Sequence, residues 1–304
     1  MAWSSDAIRP ARARPLELFG DDALLAQFTV APDHPVFAGH YPRFPLLPGV
    51  YLIEAALQLL EARGLGDHTP ARALAAIRDL RLFAAILPGM AVAATLAAVA
   101  GEPGADAWRC TFRTVAHERP LGSVTLVLGE LAPAPQLPPA TALRDPVHLG
   151  PCDIVNRLAH RAPILLVDSA SVGADGTTLR ARKLVSLNEP CYGRIDANCC
   201  AAQLAYPACL LAESFVQACA LLVTQARSLQ RDAEVMILGA IGAVDLHAPV
   251  YPGACLRHEV HLQRLIADTA LIDGVSRSGR QVVARFTQVL VAIRPAAGIR
   301  PQEG

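Results

Sequence analysis

The sequence shows no excess of either charge, since its 304 residues include 27 lysines and arginines against 27 aspartates and glutamates. It also has no dense run of basic residues, so nothing in its composition predicts a nucleic acid or an anionic membrane surface as a partner. The N-terminal stretch contains arginines but no apolar segment behind them, which is not the pattern of a secretory signal. We therefore expect a cytoplasmic protein.

Long uninterrupted apolar runs are missing as well, because proline, glycine or an acid breaks each of them, and we expect no membrane span. Hydrophobic residues nevertheless make up 53% of the chain and charged residues only 18%. That composition argues against disorder and provides enough apolar material for a sizeable core. The length fits one large domain or two of about 150 residues each.

The eight cysteines do not follow a metal-binding or redox pattern. No Cys-x-x-Cys pair occurs, and no histidine stands at zinc-finger spacing from a cysteine. Cys209 and Cys219 fall in an apolar helical stretch, where cysteine behaves as a small hydrophobe. We expect free or buried thiols in a reducing compartment, and no metal site.

The chain contains two copies of one plan. Two segments share a proline, a glutamate and a glutamine at the same spacing: Pro48-Gly-Val-Tyr-Leu-Ile-Glu-Ala-Ala-Leu-Gln and Pro207-Ala-Cys-Leu-Leu-Ala-Glu-Ser-Phe-Val-Gln. Upstream, Asp33-His-Pro-Val-Phe matches Asn188-Glu-Pro-Cys-Tyr in the same order. A proline-rich connector, residues 132–140, lies between the copies. We therefore predict two domains, residues 1–140 and 141–304.

Each copy has the same predicted order of elements: a short strand, a loop rich in proline and glycine, a long apolar helix, and a series of strands. The predicted helices are Val50–Glu61 and Cys209–Arg227, preceded by strands at Leu24–Val30 and Thr178–Leu187. The later strands are 73–83, 91–99, 107–116 and 123–129, then 235–246, 255–265, 269–276 and 281–293. A buried helix wrapped by an antiparallel sheet, an α+β architecture, accounts for this order.

The loop Gly39-His-Tyr-Pro-Arg-Phe-Pro-Leu-Leu-Pro-Gly-Val is the stretch most indicative of chemistry. Its three prolines stiffen the backbone around His40, which can act as a base near neutral pH. Gly49 stands where a helix begins, so its N–H can receive a carbonyl oxygen. A carboxyl inside an apolar helix, as predicted for Glu54 and Glu213, is expected to have a raised pKa and to donate a proton.

These residues carry a family resemblance. The segment from His34 to Gln58, with Gly-His-Tyr-Pro, Pro-Gly-Val and Glu-Ala-Ala-Leu-Gln, resembles the signature of the β-hydroxyacyl-acyl-carrier-protein dehydratases of fatty-acid synthesis. In the second copy, His160-Arg-Ala-Pro-Ile-Leu-Leu-Val-Asp and Asn188-Glu-Pro are similar to other parts of that family's sequence. The resemblance implies a hot-dog fold in each copy, and so a fused double hot dog that forms a pseudo-dimer.

The second copy has lost the histidine of the motif. Depending on which landmark sets the register, the vacant position is Ile195 or Cys199, and no histidine occurs between His160 and His247. In the family resembled, each active site pairs a histidine from one protomer with an acid from the other. By that resemblance the productive pair is His40 with Glu213, as in polyketide-synthase dehydratase domains, while Glu54 faces the vacant position near Cys199 as a degenerate second site.

The resemblance also implies the supporting roles and the chemistry. Gly49 N–H would hold the thioester carbonyl and Gln217 would orient Glu213, with Tyr41 and Pro48 supporting the loop. The expected reaction is dehydration of a β-hydroxyacyl thioester, carried on the phosphopantetheine of an acyl carrier protein or as a CoA ester. It requires no metal or redox cofactor, and the protein is expected to be a monomeric pseudo-dimer or a homodimer.

Other interpretations remain open from sequence. A cyclase similar to product-template domains would use the same histidine and acid in a wider pocket, an enoyl isomerase would move the new double bond, and an acyl-binding scaffold would need no base. We expect His34, His160 and Arg161 to be structural. For Arg43, contact with a phosphopantetheine phosphate and a solvated loop position are equally compatible with the sequence.

Overall fold

The computed structural model describes residues 18–19, 23–65, 73–100, 105–138, 142–193, 195, 198–226 and 234–298. In the first half, strands β1 (Leu18–Phe19) and β2 (Ala23–Thr29) precede the short helix α1 (Val36–Gly39) and the long helix α2 (Tyr51–Ala62). Four strands follow: β3 (Ala73–Leu82), β4 (Ala91–Val99), β5 (Asp106–Thr114) and β6 (Pro120–Gly129).

The second half repeats this order with one more strand before its long helix, and its short helix lies between the first two strands. It begins with β7 (Val147–Leu149), α3 (Pro151–Arg157), β8 (Ser169–Val172) and β9 (Thr178–Leu184). The long helix α4 (Ala208–Ala226) follows, and then β10 (Glu234–Leu246), β11 (Cys255–Ile266), β12 (Thr269–Ser278) and β13 (Gln281–Pro295). Short 3₁₀ turns occur at Pro190–Tyr192, Ala201–Leu204 and Ala296–Gly298. The expected α+β order is present in both halves.

All thirteen described strands form one antiparallel sheet, in the order β1-β2-β4-β5-β6-β3-β10-β13-β12-β11-β9-β8-β7. The halves meet where β3 pairs with β10, with Ile77 opposite Val244 and Leu80 opposite Ile241. Each half-sheet packs against its own long helix, and α2 also contacts α4. The predicted domain boundary near residue 140 lies outside the described residues.

The two long helices are the centres of the core because most of their faces are apolar. Leu52, Ile53 and Leu60 of α2 are almost fully buried, as are Phe215 and Leu222 of α4. The segment Ala201–Gln225 is long and apolar enough to cross a membrane by length and composition, but 83% of that apolar window is buried inside the protein. A helix enclosed in this way serves as a core helix, since burial against the sheet satisfies its apolar surface.

The structure adds short elements that hydrophobic periodicity did not predict, namely α1, α3, β1, β7 and β8. All have seven residues or fewer, too short for a clear apolar period to develop. The long helices match their predicted positions to within one residue, although the predicted end of the second, Arg227, lies outside the described residues. The eight cysteines are free thiols, as expected.

Candidate active site

His40 is held by the backbone of its own loop. Its Nδ1 lies 2.9 Å from the carbonyl oxygen of Leu46, and the N–H of Leu46 donates to the His40 carbonyl at 3.0 Å. Since a carbonyl oxygen only accepts, Nδ1 must carry the hydrogen, which leaves the lone pair of the neutral ring on Nε2. The predicted loop therefore presents a buried imidazole of defined tautomer.

Contacts with the second half fix the same loop in place. The Gly39 carbonyl accepts a hydrogen bond from Arg161 N–H at 2.9 Å, and a Cβ at Gly39 would overlap the Arg161 carbonyl oxygen. The Tyr41 hydroxyl donates to the Met236 carbonyl on β10 at 2.7 Å, while its ring stacks on His40 with centroids 4.2 Å apart. Tyr41 thus supports His40 by joining the two halves beside it.

Glu213 projects from α4 and is only 3% exposed. Gln217, one helical turn further along, donates from Nε2 to Glu213 Oε1 at 3.0 Å. The same amide group donates to the Ile164 carbonyl at 2.7 Å and accepts from Leu166 N–H at 2.9 Å. Because all of these contacts are buried, Gln217 is fixed by the backbone and in turn fixes the carboxyl group, which is the arrangement expected for an orienting residue.

The fold brings His40 and Glu213 together, and it adds His160. The Nε2 atom of His160 lies 3.3 Å from Glu213 Oε1, and its ring centroid lies 5.2 Å from that of His40. One ring nitrogen of each histidine and one carboxylate oxygen of Glu213 lie within 4.8 Å of one another. From the sequence we expected His160 to be structural. Its place in the His-Arg-x-Pro segment was the one sign of a further role, because no periodicity or local spacing links it to either partner.

Burial has opposite effects on the pKa values of His40 and Glu213, and neighbouring donors outweigh it only at Glu213. It lowers the pKa of His40 to about 4, so the ring is neutral at physiological pH. Burial alone would raise the pKa of Glu213, but the hydrogen bond and charge of His160, the nearby His40 and the Gln217 amide together bring this pKa below its ordinary value. The expectation of a raised pKa for Glu213 is therefore wrong, because the helix environment is apolar but the carboxylate itself is surrounded by donors.

One cavity of about 590 Å³ is lined by His40, Gly49, His160 and Glu213. Within the described residues, the Gly49 N–H has no backbone acceptor, and a Cβ at this position would overlap Leu82 Cδ1. A side chain at this position would therefore displace the Leu82 side chain on β3. Gly49 follows the buried Pro48 and lines the cavity, as expected for the residue that would supply the oxyanion donor.

A second cavity of about 510 Å³ adjoins the first, and the two share Tyr41 and His160 in their walls. The exposed residues Pro42 and Arg43 also line the second cavity, so it reaches the protein surface. His160 therefore lies between a surface-connected cavity and the cavity that contains His40.

The residues predicted to form a degenerate second site are arranged differently from those of the first. Glu54 accepts a hydrogen bond from Gln58 Nε2 at 3.1 Å, and Cys209 Sγ lies 3.9 Å from its other carboxylate oxygen. Cys199 is half-buried in an irregular segment. Among the described residues that line the cavity of His40, neither Glu54 nor Cys199 is found.

The described residues contain a single cluster of histidine, cysteine or acidic side chains compact enough to be considered for a metal ion, and it is His40, His160 and Glu213. The prediction that no metal is required stays a prediction. The free cysteines are not part of this cluster.

Known proteins similar to this chain are dehydratases. A family model described as ApeI dehydratase matches residues 18–119. The 3-hydroxyacyl-[acyl-carrier-protein] dehydratase FabZ of Haemophilus ducreyi is 32% identical over 132 residues, which are 43% of this chain and 82% of that protein. FabZ of Pasteurella multocida is 32% identical over 145 residues, or 47% of this chain and 91% of that protein.

Solved structures with a similar fold match most of the length of both halves together. The dehydratase domain of RzxB from Pseudomonas fluorescens superposes with a TM-score of 0.64 at 16% identity, covering 88% of this chain and 94% of that domain. A structure of the PpsC dehydratase domain from Mycobacterium tuberculosis, in complex with C12:1-CoA, gives 0.60 at 16% identity, covering 90% and 94%.

The predicted double hot-dog fold, a class of fold found in polyketide-synthase dehydratase domains, is thus confirmed. By its sequence, the chain belongs to the 3-hydroxyacyl-[acyl-carrier-protein] dehydratase family represented by FabZ.

Proposed function

We propose that this protein dehydrates a β-hydroxyacyl thioester to the enoyl thioester at one site shared by its two halves, with His40 as base and Glu213 as acid. The observation that carries this proposal is that an imidazole from one half and a carboxylate from the other approach within 4.8 Å in the wall of the same cavity. Membership of the dehydratase family supplies the reaction class.

In the proposed mechanism each group has its own step. The lone pair on His40 Nε2 takes the α-proton, while the Gly49 N–H stabilises the negative charge that develops on the thioester oxygen. The Cβ–O bond then breaks, and a proton delivered through Glu213 converts the departing hydroxyl to water. Because His40 is neutral at physiological pH, it is ready to accept a proton without a preceding deprotonation.

The proposed substrate arrives on the phosphopantetheine arm of an acyl carrier protein, or as a CoA ester. The cavity of about 590 Å³ lies in the size range of small-molecule sites and has room for a thioester and part of an acyl chain. Every proton in the reaction is exchanged among side chains and water, so it needs neither a metal nor a redox cofactor. A cytoplasmic monomer or homodimer accords with this role.

The test compares two glutamates that occupy equivalent positions in the two copies. Wild type, Glu213→Gln and Glu54→Gln are incubated with a β-hydroxyacyl-pantetheine surrogate, and mass spectrometry follows the loss of water. Glu213→Gln is expected to lower the rate by about 10²–10⁴-fold, the usual contribution of a general acid, and His40→Ala by a similar factor. Glu54→Gln is expected to retain activity.

The result that contradicts the assignment is equally specific. If Glu54→Gln loses activity and Glu213→Gln retains it, the pairing is wrong. A wild-type protein that binds the surrogate without turnover would favour the acyl-binding scaffold. A dehydrated product with its double bond at another position would favour an isomerase, and ring closure of a polyketone thioester would favour a cyclase. Activity is expected to survive treatment with a chelator, and its loss would show that a metal takes part.

A further inference from the structure

The proposed dehydration leaves the source of one proton unexplained. The leaving hydroxyl needs a proton from Glu213, yet the donors around this carboxylate lower its pKa and so favour its ionised form. One buried titratable side chain in the same cavity has no part in the mechanism so far. It is His160, which is 6% exposed and lies beside Glu213 on the side of the second cavity.

Resting on the proposed function, we infer that His160 delivers to Glu213 the proton that leaves with the β-hydroxyl, and that it is itself recharged from the second cavity. The surroundings of its two ring nitrogens carry this inference. Nε2 lies 3.3 Å from Glu213 Oε1, whereas Nδ1 is buried and has no hydrogen-bond partner among the described residues. An imidazole in this position can take up a proton at Nδ1 and then, as the imidazolium, release the proton on Nε2.

The proton balance closes without a further reactant. As the Cα–H bond breaks, its proton forms a bond with His40 Nε2. As the Cβ–O bond breaks, the hydroxyl takes a proton from Glu213, which receives one from His160 Nε2. His160 can give this proton because water in the second cavity first protonates its Nδ1 and makes the ring an imidazolium. After the transfer the ring loses the Nδ1 proton to water and regains one at Nε2, and His40 returns its proton to water. His160 is thus a positioning residue, since it acts on the substrate only through Glu213.

A substrate whose leaving group needs no proton separates this role from a structural one. Wild type and His160→Gln are compared on a β-hydroxyacyl-pantetheine and on the matching β-chloroacyl-pantetheine, which expels chloride. Glutamine can still donate to Glu213 but cannot transfer a proton. We expect His160→Gln to lower dehydration by about 10²-fold while elimination of chloride stays within about threefold of wild type.

Two measurements strengthen the comparison. Exchange of the α-proton of a saturated acyl-pantetheine in D₂O requires His40 but no acid, so it is expected to persist in His160→Gln and to disappear in His40→Ala. Added imidazole is expected to restore part of the dehydration lost by His160→Ala. His148→Gln, on β7 outside both cavities, replaces a histidine that contacts Ser171 and is the matched control, with all three activities expected to be unchanged.

The outcomes distinguish this inference from the function on which it rests. If His160→Gln loses chloride elimination and α-exchange together with dehydration, or if it retains full dehydration, His160 does not deliver the proton. In either case the assignment of His40 and Glu213 stands as long as their own variants are impaired. Failure of the wild type to dehydrate any surrogate would instead overturn the proposed function.

Discussion

Replacing Gln217 with leucine is the sharpest structural test of how Glu213 is held. The glutamine is fully buried and satisfies Ile164 C=O, Leu166 N–H and Glu213 at once. Leucine has a similar size but leaves two buried backbone groups without partners, each at a cost of about 1–3 kcal/mol. Loss of the bond to the carboxylate adds about 1.5–3 kcal/mol if that group is charged. Gln217→Leu should therefore lower the free energy of unfolding by about 4 kcal/mol or more.

Urea unfolding measures this change, and Gln217→Glu is the matched control. At low pH a protonated glutamic acid keeps one donor and one acceptor in nearly the same place, so the control should lose less stability. In this variant, burial next to Glu213 would raise the folded-state pKa of the new carboxyl group. The contribution of that group to stability is therefore present at low pH and is lost as the pH rises through the raised pKa. A Gln217→Leu variant within about 0.5 kcal/mol of wild type would refute the reasoning, because a surface substitution would cost as little.

Two further predictions concern glycine packing and acid stability. Gly49→Ala should lower activity because the new Cβ overlaps Leu82 Cδ1, and adding Leu82→Ala to this variant should restore part of the lost activity. Equal impairment of the single and double variants in the dehydration assay would argue against the steric cause. Burial lowers the pKa of His258 to about 3, with a contribution from Lys183, and its Nδ1 lies 2.7 Å from Ser276 Oγ. The unfolded chain protonates His258 more readily than the folded protein does. His258 therefore lowers the free energy of unfolding as the pH falls below about 6.5, by about 2 kcal/mol at pH 5. His258→Asn should remove this contribution to the difference between the free energies of unfolding that urea measures at pH 7 and pH 5. An unchanged difference would show that His258 is not its source.

The sequence by itself determined the elements that local physics specifies. Apolar runs of sufficient length predicted both long helices, and the repeated Pro, Glu and Gln placed Glu54 and Glu213 at equivalent points on them. The stiff loop around His40 and the missing histidine of the second copy were also visible, because both are properties of consecutive residues. The family and the double hot-dog fold were implied by the resemblance that these residues carry, and both were confirmed.

Tertiary structure alone decided which distant groups meet and in what state they are charged. His160 lies far along the chain from both His40 and Glu213, and only the packing of its loop against Gly39 and α4 brings it to the carboxylate. The pKa of Glu213 was predicted in the wrong direction for the same reason. The sequence shows an apolar helix around this residue, whereas its pKa depends on the donors that other segments place against its oxygens.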